Sequence, residues 1–282
     1  MKKRQRKVRL IRAAIQLVFF IFYPALFSTA FAGVKSVFQA IAAHQQIAWN
    51  SFLDVTGLLL LVTILFGRHF CGYACAFGSL GDAMYELTVF IRQKVFHKKR
   101  RHGYPEKAVR ILQKVKYILL AFLLLSILTG WYASLQGMSP WDVFSMLHAG
   151  NFRLASYLPG ILLLILILIG MFFEERFFCR FLCPMGAVFS LLPILPLFTL
   201  HRKRENCIRG CSACTRQCPS AVELPSDGSM DISGDCFQCQ KCIDTCPKGN
   251  IHCGIKELHG NEILFTLFRA VLLLTLLLWV GI

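Results

Sequence analysis

Charge is scarce in this chain, and acid is scarcer than base. Only 16% of its 282 residues are charged, and 15 Asp and Glu face 31 Lys and Arg. So little charge, beside a 56% hydrophobic content with 25 Phe, excludes a disordered chain and an ordinary soluble enzyme. No Walker motif, Rossmann fingerprint or nucleophilic triad is present, so nothing points to hydrolysis or to nucleotide chemistry. The length allows two domains of ordinary size.

Long apolar runs are what the chain does have. They fall near 13–34, 51–67, 117–135, 157–174 and 262–282, against the roughly 20 residues a membrane-spanning helix needs. The second has 17 residues before Arg68, and the stretch Gln46 to Asn50 extends it into the interface. The expected fold is therefore an all-α polytopic membrane protein of four to five spans. Seven Lys and Arg lie between Lys2 and Arg12, eleven between Arg68 and Lys116, and ten between Arg176 and Lys256, whereas Lys35 and Arg153 alone occupy the other two loops. The positive-inside rule then places the N-terminus and both basic loops in the cytoplasm of a multi-pass inner-membrane protein. The net charge of +16 reads as topology and contact with lipid, not as nucleic-acid binding. A basic head, an apolar run and Ala30-Phe31-Ala32 also match a cleaved signal peptide, but the run exceeds a usual signal core.

Phe70-Cys71-Gly72-Tyr73-Ala74-Cys75-Ala76-Phe77-Gly78 aligns with Phe178-Cys179-Arg180-Phe181-Leu182-Cys183-Pro184-Met185-Gly186 at a constant offset of 108. Each copy follows a span running inward, so the expected unit is a helix pair ending in two cysteines, repeated in parallel. Cysteines four apart on a helix place their Cβ atoms about 5–6 Å apart, too far for a disulfide. Cys71, Cys75, Cys179 and Cys183 are thus candidate metal ligands. Sulfur-only ligation leaves an iron-sulfur cluster, another soft metal and a redox-active dithiol open.

After Leu200 the composition turns polar and rich in turns, and nine cysteines follow. Cys236, Cys239, Cys242 and Cys246, followed by Pro247, form C-x2-C-x2-C-x3-C-P, the bacterial ferredoxin run for a 4Fe-4S cluster. Cys207, Cys211, Cys214 and Cys218, followed by Pro219, repeat that plan with one additional residue, which Gly210 can absorb. In two-cluster ferredoxins the fourth cysteine of each run serves the other cluster. Cys207, Cys211, Cys214 and Cys246 are accordingly assigned to one cluster, and Cys236, Cys239, Cys242 and Cys218 to the second. Zinc prefers separated C-x2-C pairs. Cys253 is left as a structural thiol. The domain reading is 1–200 for the membrane part, 201–261 for a small cytoplasmic α+β ferredoxin-like domain, and 262–282 for a C-terminal span.

Among the remaining residues, His69 reads as a headgroup-level histidine and Trp131 and Trp141 as interfacial anchors. Arg269 reads as a functional or snorkelling charge, segment 79–96 as an amphipathic surface helix with Asp82 on its polar face, and 97–116 as a basic linker.

Two C-x3-C pairs beside spans, with a ferredoxin-type pair of cluster runs behind them, resemble the NapH-type membrane subunit of quinol dehydrogenases and the related C-terminal half of NosR-type proteins. The resemblance runs from about Leu10 to Cys246. It implies quinone-linked membrane electron transfer through two cytoplasm-facing 4Fe-4S clusters, with a partner redox protein such as a flavoprotein, a ferredoxin or an iron-sulfur subunit. Cys75-Ala76 departs from it by lacking the proline that Cys183-Pro184 keeps, the first ferredoxin run carries its additional residue, and no flavin-binding domain precedes the spans. Two rivals stand beside the quinol reading. One is a quinone-independent relay from a cytosolic ferredoxin or flavodoxin to an extracytoplasmic flavoprotein, and the other is an iron-sulfur sensor or assembly factor. Whether the chain is itself an enzyme or an electron-transfer subunit of one stays open.

Overall fold

The computed structural model describes residues 2–95, 97, 106–135, 137–153, 155–254 and 262–281, without the side chains of 2–8, 106 and 107. Residues 98–105 of the expected basic linker 97–116 and the junction at 255–261 lie outside the described residues, and the rest of that linker is not irregular: Glu106–Leu112 is helical and a further helix starts at Val115. Contacts divide the chain into two compact units: Met1–Phe19, Leu58–Ala74 and Phe189–Ile282 form the first, Phe20–Gly57 and Cys75–Val188 the second.

Helices dominate. In chain order they are α1 (Lys2–Phe22), α2 (Leu26–Ala42), α3 (Ser51–Phe66), α4 (His69–Tyr73), α5 (Ala76–Lys94), α6 (Glu106–Leu112) and α7 (Val115–Leu128). They continue with α8 (Pro140–His148), α9 (Leu158–Phe173), α10 (Pro184–Leu191), α11 (Ala213–Gln217), α12 (Lys241–Thr245) and α13 (Glu262–Val280). Among the described residues, Ala108–Leu128, Ala155–Phe173 and Glu262–Val280 are long and apolar enough to cross a membrane, and the pair Arg9–Phe22 and Leu26–Ala42 makes a fourth if the bent pair is one span. The fifth apolar run is thus a full-length helix. The first is not the continuous span that 13–34 suggested: Pro24 offers no N–H, and the helix breaks between Phe22 and Leu26. α3 has 16 residues, about 24 Å at 1.5 Å per residue, shorter than a hydrocarbon core of about 30 Å.

In the second unit α5 and α8 pack on α9, and α2 packs on α7. Aromatic rings fill the centre. Phe77 meets Phe144 and Phe178 at 4.8 Å between centroids, and Trp141 meets Phe27 and Phe31 at 5.8 Å. Trp141 is therefore a core residue rather than an interfacial anchor; Trp131 is exposed. α5 also departs from the surface-helix reading. Its Asp82 is buried and takes two hydrogen bonds from Arg176, at 2.9 Å from Nε and 2.6 Å from Nη2.

In the first unit three short strands, β1 (Leu200–Lys203), β2 (Asp227–Met230) and β3 (Ile251–Cys253), make an antiparallel sheet in the order β2-β1-β3. Leu200, Leu224, Cys236, Ile251 and Cys253 form a core beneath it, with Cys214, Cys242, Cys246 and Phe265 packed against that core. Cysteine is here both candidate ligand and hydrophobic filler.

Candidate iron-sulfur sites

The two short helices of the polar segment end alike. α11 stops at Cys218 before Pro219 and α12 at Cys246 before Pro247, with φ/ψ of −75/119° and −67/115°. Proline excludes the helical conformation from the residue ahead of it, so each Cys-Pro step ends its helix and turns the thiol out of the helical register. Gly210 takes φ +71°, the left-handed conformation that accommodates the additional residue of the first run.

A hollow is lined by Cys214, Cys218, Cys236, Cys239 and Cys242, with Leu200, Leu224 and Phe237 among its apolar walls. Four of these five cysteines are the set assigned to one cluster. Of the other set, Cys207 and Cys246 are brought to one residue: Asn250 donates from Nδ2 to Cys207 Sγ at 3.4 Å and from its backbone N–H to Cys246 Sγ at 3.3 Å. Cys211 sits in a turn, its N–H bonded to Ile208 at 3.0 Å, outside the hollow. Arg202 Nη1 donates to Cys214 Sγ at 3.1 Å and Gln238 Nε2 to Cys236 Sγ at 3.6 Å. No two of the thirteen cysteines are joined in a disulfide.

This donor set, cysteine sulfur with amide and guanidinium N–H groups aimed at it, fits a cluster. A four-iron cluster takes its thiolates on separate irons around a volume, and N–H donors aimed at sulfur suit thiolates. Burial pushes the Cys236 thiol well above its usual range, with Asp231, Cys218 and Cys242 adding to the rise. Burial does the same for Cys242, with Cys239, Cys218 and Cys214 adding. Thiols this reluctant to ionise become thiolates only when a cation compensates them.

Cys71 belongs to the first unit and lies against the second ferredoxin run. Gly72 is packed so tightly on the Phe237 carbonyl oxygen that a Cβ there would collide with it. Gln16 Nε2 donates to the Gly72 carbonyl at 3.1 Å, and Arg12 Nη1 to that of Cys239 at 3.2 Å. Arg68, fully buried, reaches Cys71 Sγ at 3.9 Å and the Gly234 carbonyl at 3.3 Å, and its guanidinium lies 4.8 Å over the Phe237 ring. His69 is also buried, stacked on Tyr73 at 4.5 Å, rather than at headgroup level. Desolvation, aided by the Arg269 charge, holds its imidazole well below the ordinary range, so it is neutral.

Cys75, Cys179 and Cys183 belong to the second unit, and all three are buried. Neither cysteine pair lies along one α-helix as the spacing suggested. Cys71 is in α4 and Cys75 follows its end, whereas Cys179 lies in a π-helical turn, Phe178–Leu182, closed by a 2.9 Å bond from the Cys183 N–H to Phe178. Cys75 and Cys183 each precede a new helix with nearly the same backbone, φ/ψ −74/116° and −72/113°. Pro184 enforces this at Cys183; Cys75 adopts it before Ala76, so the missing proline leaves the local geometry unchanged. Arg180 pairs with Glu174 at 2.6 Å beside the second pair.

The supporting residues Arg12, Gln16, Arg68, Arg202 and Asn250 were not legible as such in the sequence. Their signal was weak, a charged or amide side chain near a cysteine run, and the arginines had a sufficient explanation in topology.

Disulfide-free cysteine sets, buried or half-buried around a hollow, in a chain with apolar helices of spanning length point to a class: membrane proteins that carry iron-sulfur centres. Comparison with known proteins agrees. A family described as "4Fe-4S binding domain" matches residues 52–101 and 157–201, one C-x3-C pair in each segment. An uncharacterized protein of Methanocaldococcus jannaschii is 28% identical over 244 residues, 86% of this chain and 94% of the relative. The ferredoxin-type protein NapH of Haemophilus influenzae is 26% identical over 233 residues, 79% and 75% of the two chains. The regulatory protein NosR of Pseudomonas aeruginosa is 26% identical over 259 residues, 87% of this chain but 34% of the relative. No solved structure matches. The chain is similar to the NapH- and NosR-type proteins and carries the cysteine pairs of a 4Fe-4S binding domain.

Proposed function

We propose that this protein transfers electrons between the membrane quinol pool and a partner oxidoreductase. Cys207, Cys211, Cys214 and Cys246 hold one 4Fe-4S cluster in this reading, and Cys236, Cys239, Cys242 and Cys218 the second. The observation that carries it is the backbone contact of Gly72 with Phe237, which sets the Cys71–Gly72 step against the second ferredoxin run. A 4Fe-4S cluster supplies one-electron chemistry when bound. The residues of the chain do the rest: Gly72 permits close approach, Arg68 fixes the loop Gly234–Phe237 against α4, and Arg202, Asn250 and Gln238 direct donors at sulfur, where they set the potential. Cys71, Cys75, Cys179 and Cys183 serve as the redox group at the membrane, an additional iron-sulfur cluster being favoured over a dithiol.

The test is anaerobic. The oxidised protein in lipid is mixed with a reduced quinol and followed by electron paramagnetic resonance. Appearance of reduced-cluster signals supports the quinol route. Signals that stay absent with quinol and appear with reduced ferredoxin favour the quinone-independent relay instead.

A further inference from the structure

Arg269 stands in the middle of α13, a helix of membrane-spanning length, yet it is 2% exposed and does not reach out to water. None of its three guanidinium nitrogens has a hydrogen-bond partner among the described residues. An arginine keeps its charge under almost all conditions, and a buried cation without a counter-charge is costly. The carboxylate on the same helix, Glu262, is engaged by His252 at 3.1 Å. What anion, then, does Arg269 answer?

Its surroundings point to sulfur. The guanidinium lies 4.5 Å over the ring of Phe265, and Phe265 packs against the core that contains Cys236 and Cys253. One turn earlier, Thr266 donates to Gln240 Oε1 at 2.9 Å, and Gln240 Nε2 donates to Cys253 Sγ at 3.1 Å. This face of α13 is thereby held on Gln240, the residue between Cys239 and the start of α12, which carries Cys242. Burial pushes the Cys253 thiol up to about 11 even with the Arg269 charge opposing it, so Cys253 does not supply the anion either.

We propose that Arg269 is the built-in counter-charge of the cluster held by Cys236, Cys239, Cys242 and Cys218, and a positioning residue for its electron chemistry. The inference rests on that cluster assignment. Four thiolates around a 4Fe-4S core leave a net negative unit, and reduction adds one electron and one further negative charge. A fixed cation nearby stabilises the reduced form more than the oxidised form, so it raises the potential. It also accounts for a charge retained inside the membrane part of the chain.

The experiment is a redox titration of the full-length protein followed by electron paramagnetic resonance, comparing wild type with Arg269→Gln and Arg269→Lys. The affected cluster is identified as the one whose signal Cys239→Ser alters. In Arg269→Gln the reduced-to-oxidised ratio of that cluster at fixed poise falls about tenfold, a midpoint about 59 mV more negative for one electron. The other cluster is unmoved, and Arg269→Lys restores most of the shift. Loss of that one cluster's iron from Arg269→Gln, with retention in Arg269→Lys, supports the same conclusion. The proposal is overturned if Arg269→Gln keeps its iron and both midpoints, or if Arg269→Lys behaves as Arg269→Gln does, because charge is then not the operative property. A wild type with no cluster signal overturns the cluster assignment itself, a distinct result.

Discussion

Gly72 and Phe237 meet backbone to backbone, with no room for a side chain between them. One belongs to a cysteine pair at the end of an apolar helix and the other to a ferredoxin-type run 165 positions later in the chain. The contact makes the Cys71–Tyr73 turn and the second run one local structure, and it explains why glycine stands between Cys71 and Tyr73. Gly72→Ala is expected to force the two segments apart at a cost of about 1–3 kcal/mol, the usual range for overpacking. Thermal denaturation should show that loss, together with an altered signal from the cluster of the second run. An unchanged melting profile and spectrum would contradict the contact.

Arg176 and Asp82 form a buried two-point ion pair between α5 and the segment that leads into the second cysteine pair. Removing one partner strands a charge, so Asp82→Asn should destabilise the protein by about 3–5 kcal/mol. The double variant Asp82→Leu with Arg176→Met should recover a large part of that loss. A double-mutant cycle on chemical denaturation measures it, and simple additivity of the two single effects would rule the coupling out.

Much of this organisation was legible beforehand, and the reasons are physical. Apolar runs announced the helices because the bilayer imposes a length. The cysteine runs announced their candidate chemistry because cluster ligation constrains spacing. The break at Pro24 could have been read from proline's missing N–H, but the continuous apolar run masked it. Asp82 was misjudged because a charged residue was assigned to a surface while its partner Arg176 lies 94 positions away in sequence; Arg68, counted only for topology, is buried as well. The π-turn at Cys179 had no signal beyond Pro184.

Acidity should oppose cluster assembly. Cys236 and Cys242 have thiols raised well above their ordinary range by burial, so near neutrality they hold protons that must leave before sulfur can bind iron. Iron uptake during reconstitution should therefore rise steadily from about pH 6.5 to about pH 8.5, a range below the ordinary or raised thiol values. Uptake that is flat or falls over this range would exclude proton release from these thiols as the controlling step.

The membrane cysteines are expected to be needed for transfer but not for the ferredoxin-type clusters. Cys75→Ser combined with Cys183→Ser should abolish quinol-driven reduction while iron bound by the polar segment stays at the wild-type level. Quinol-driven reduction at the normal rate in that variant would remove the membrane pairs from the route.

The most direct measurement is of what the eight ferredoxin-type cysteines hold. The full chain, purified without oxygen and reconstituted, is assayed for iron, acid-labile sulfide and zinc alongside low-temperature electron paramagnetic resonance. Two 4Fe-4S clusters there require about eight irons and about eight sulfides per chain, with signals of two interacting reduced centres, and any cluster at the membrane pairs adds to that figure. A colourless protein with no iron, or one that carries zinc in its place, contradicts the account.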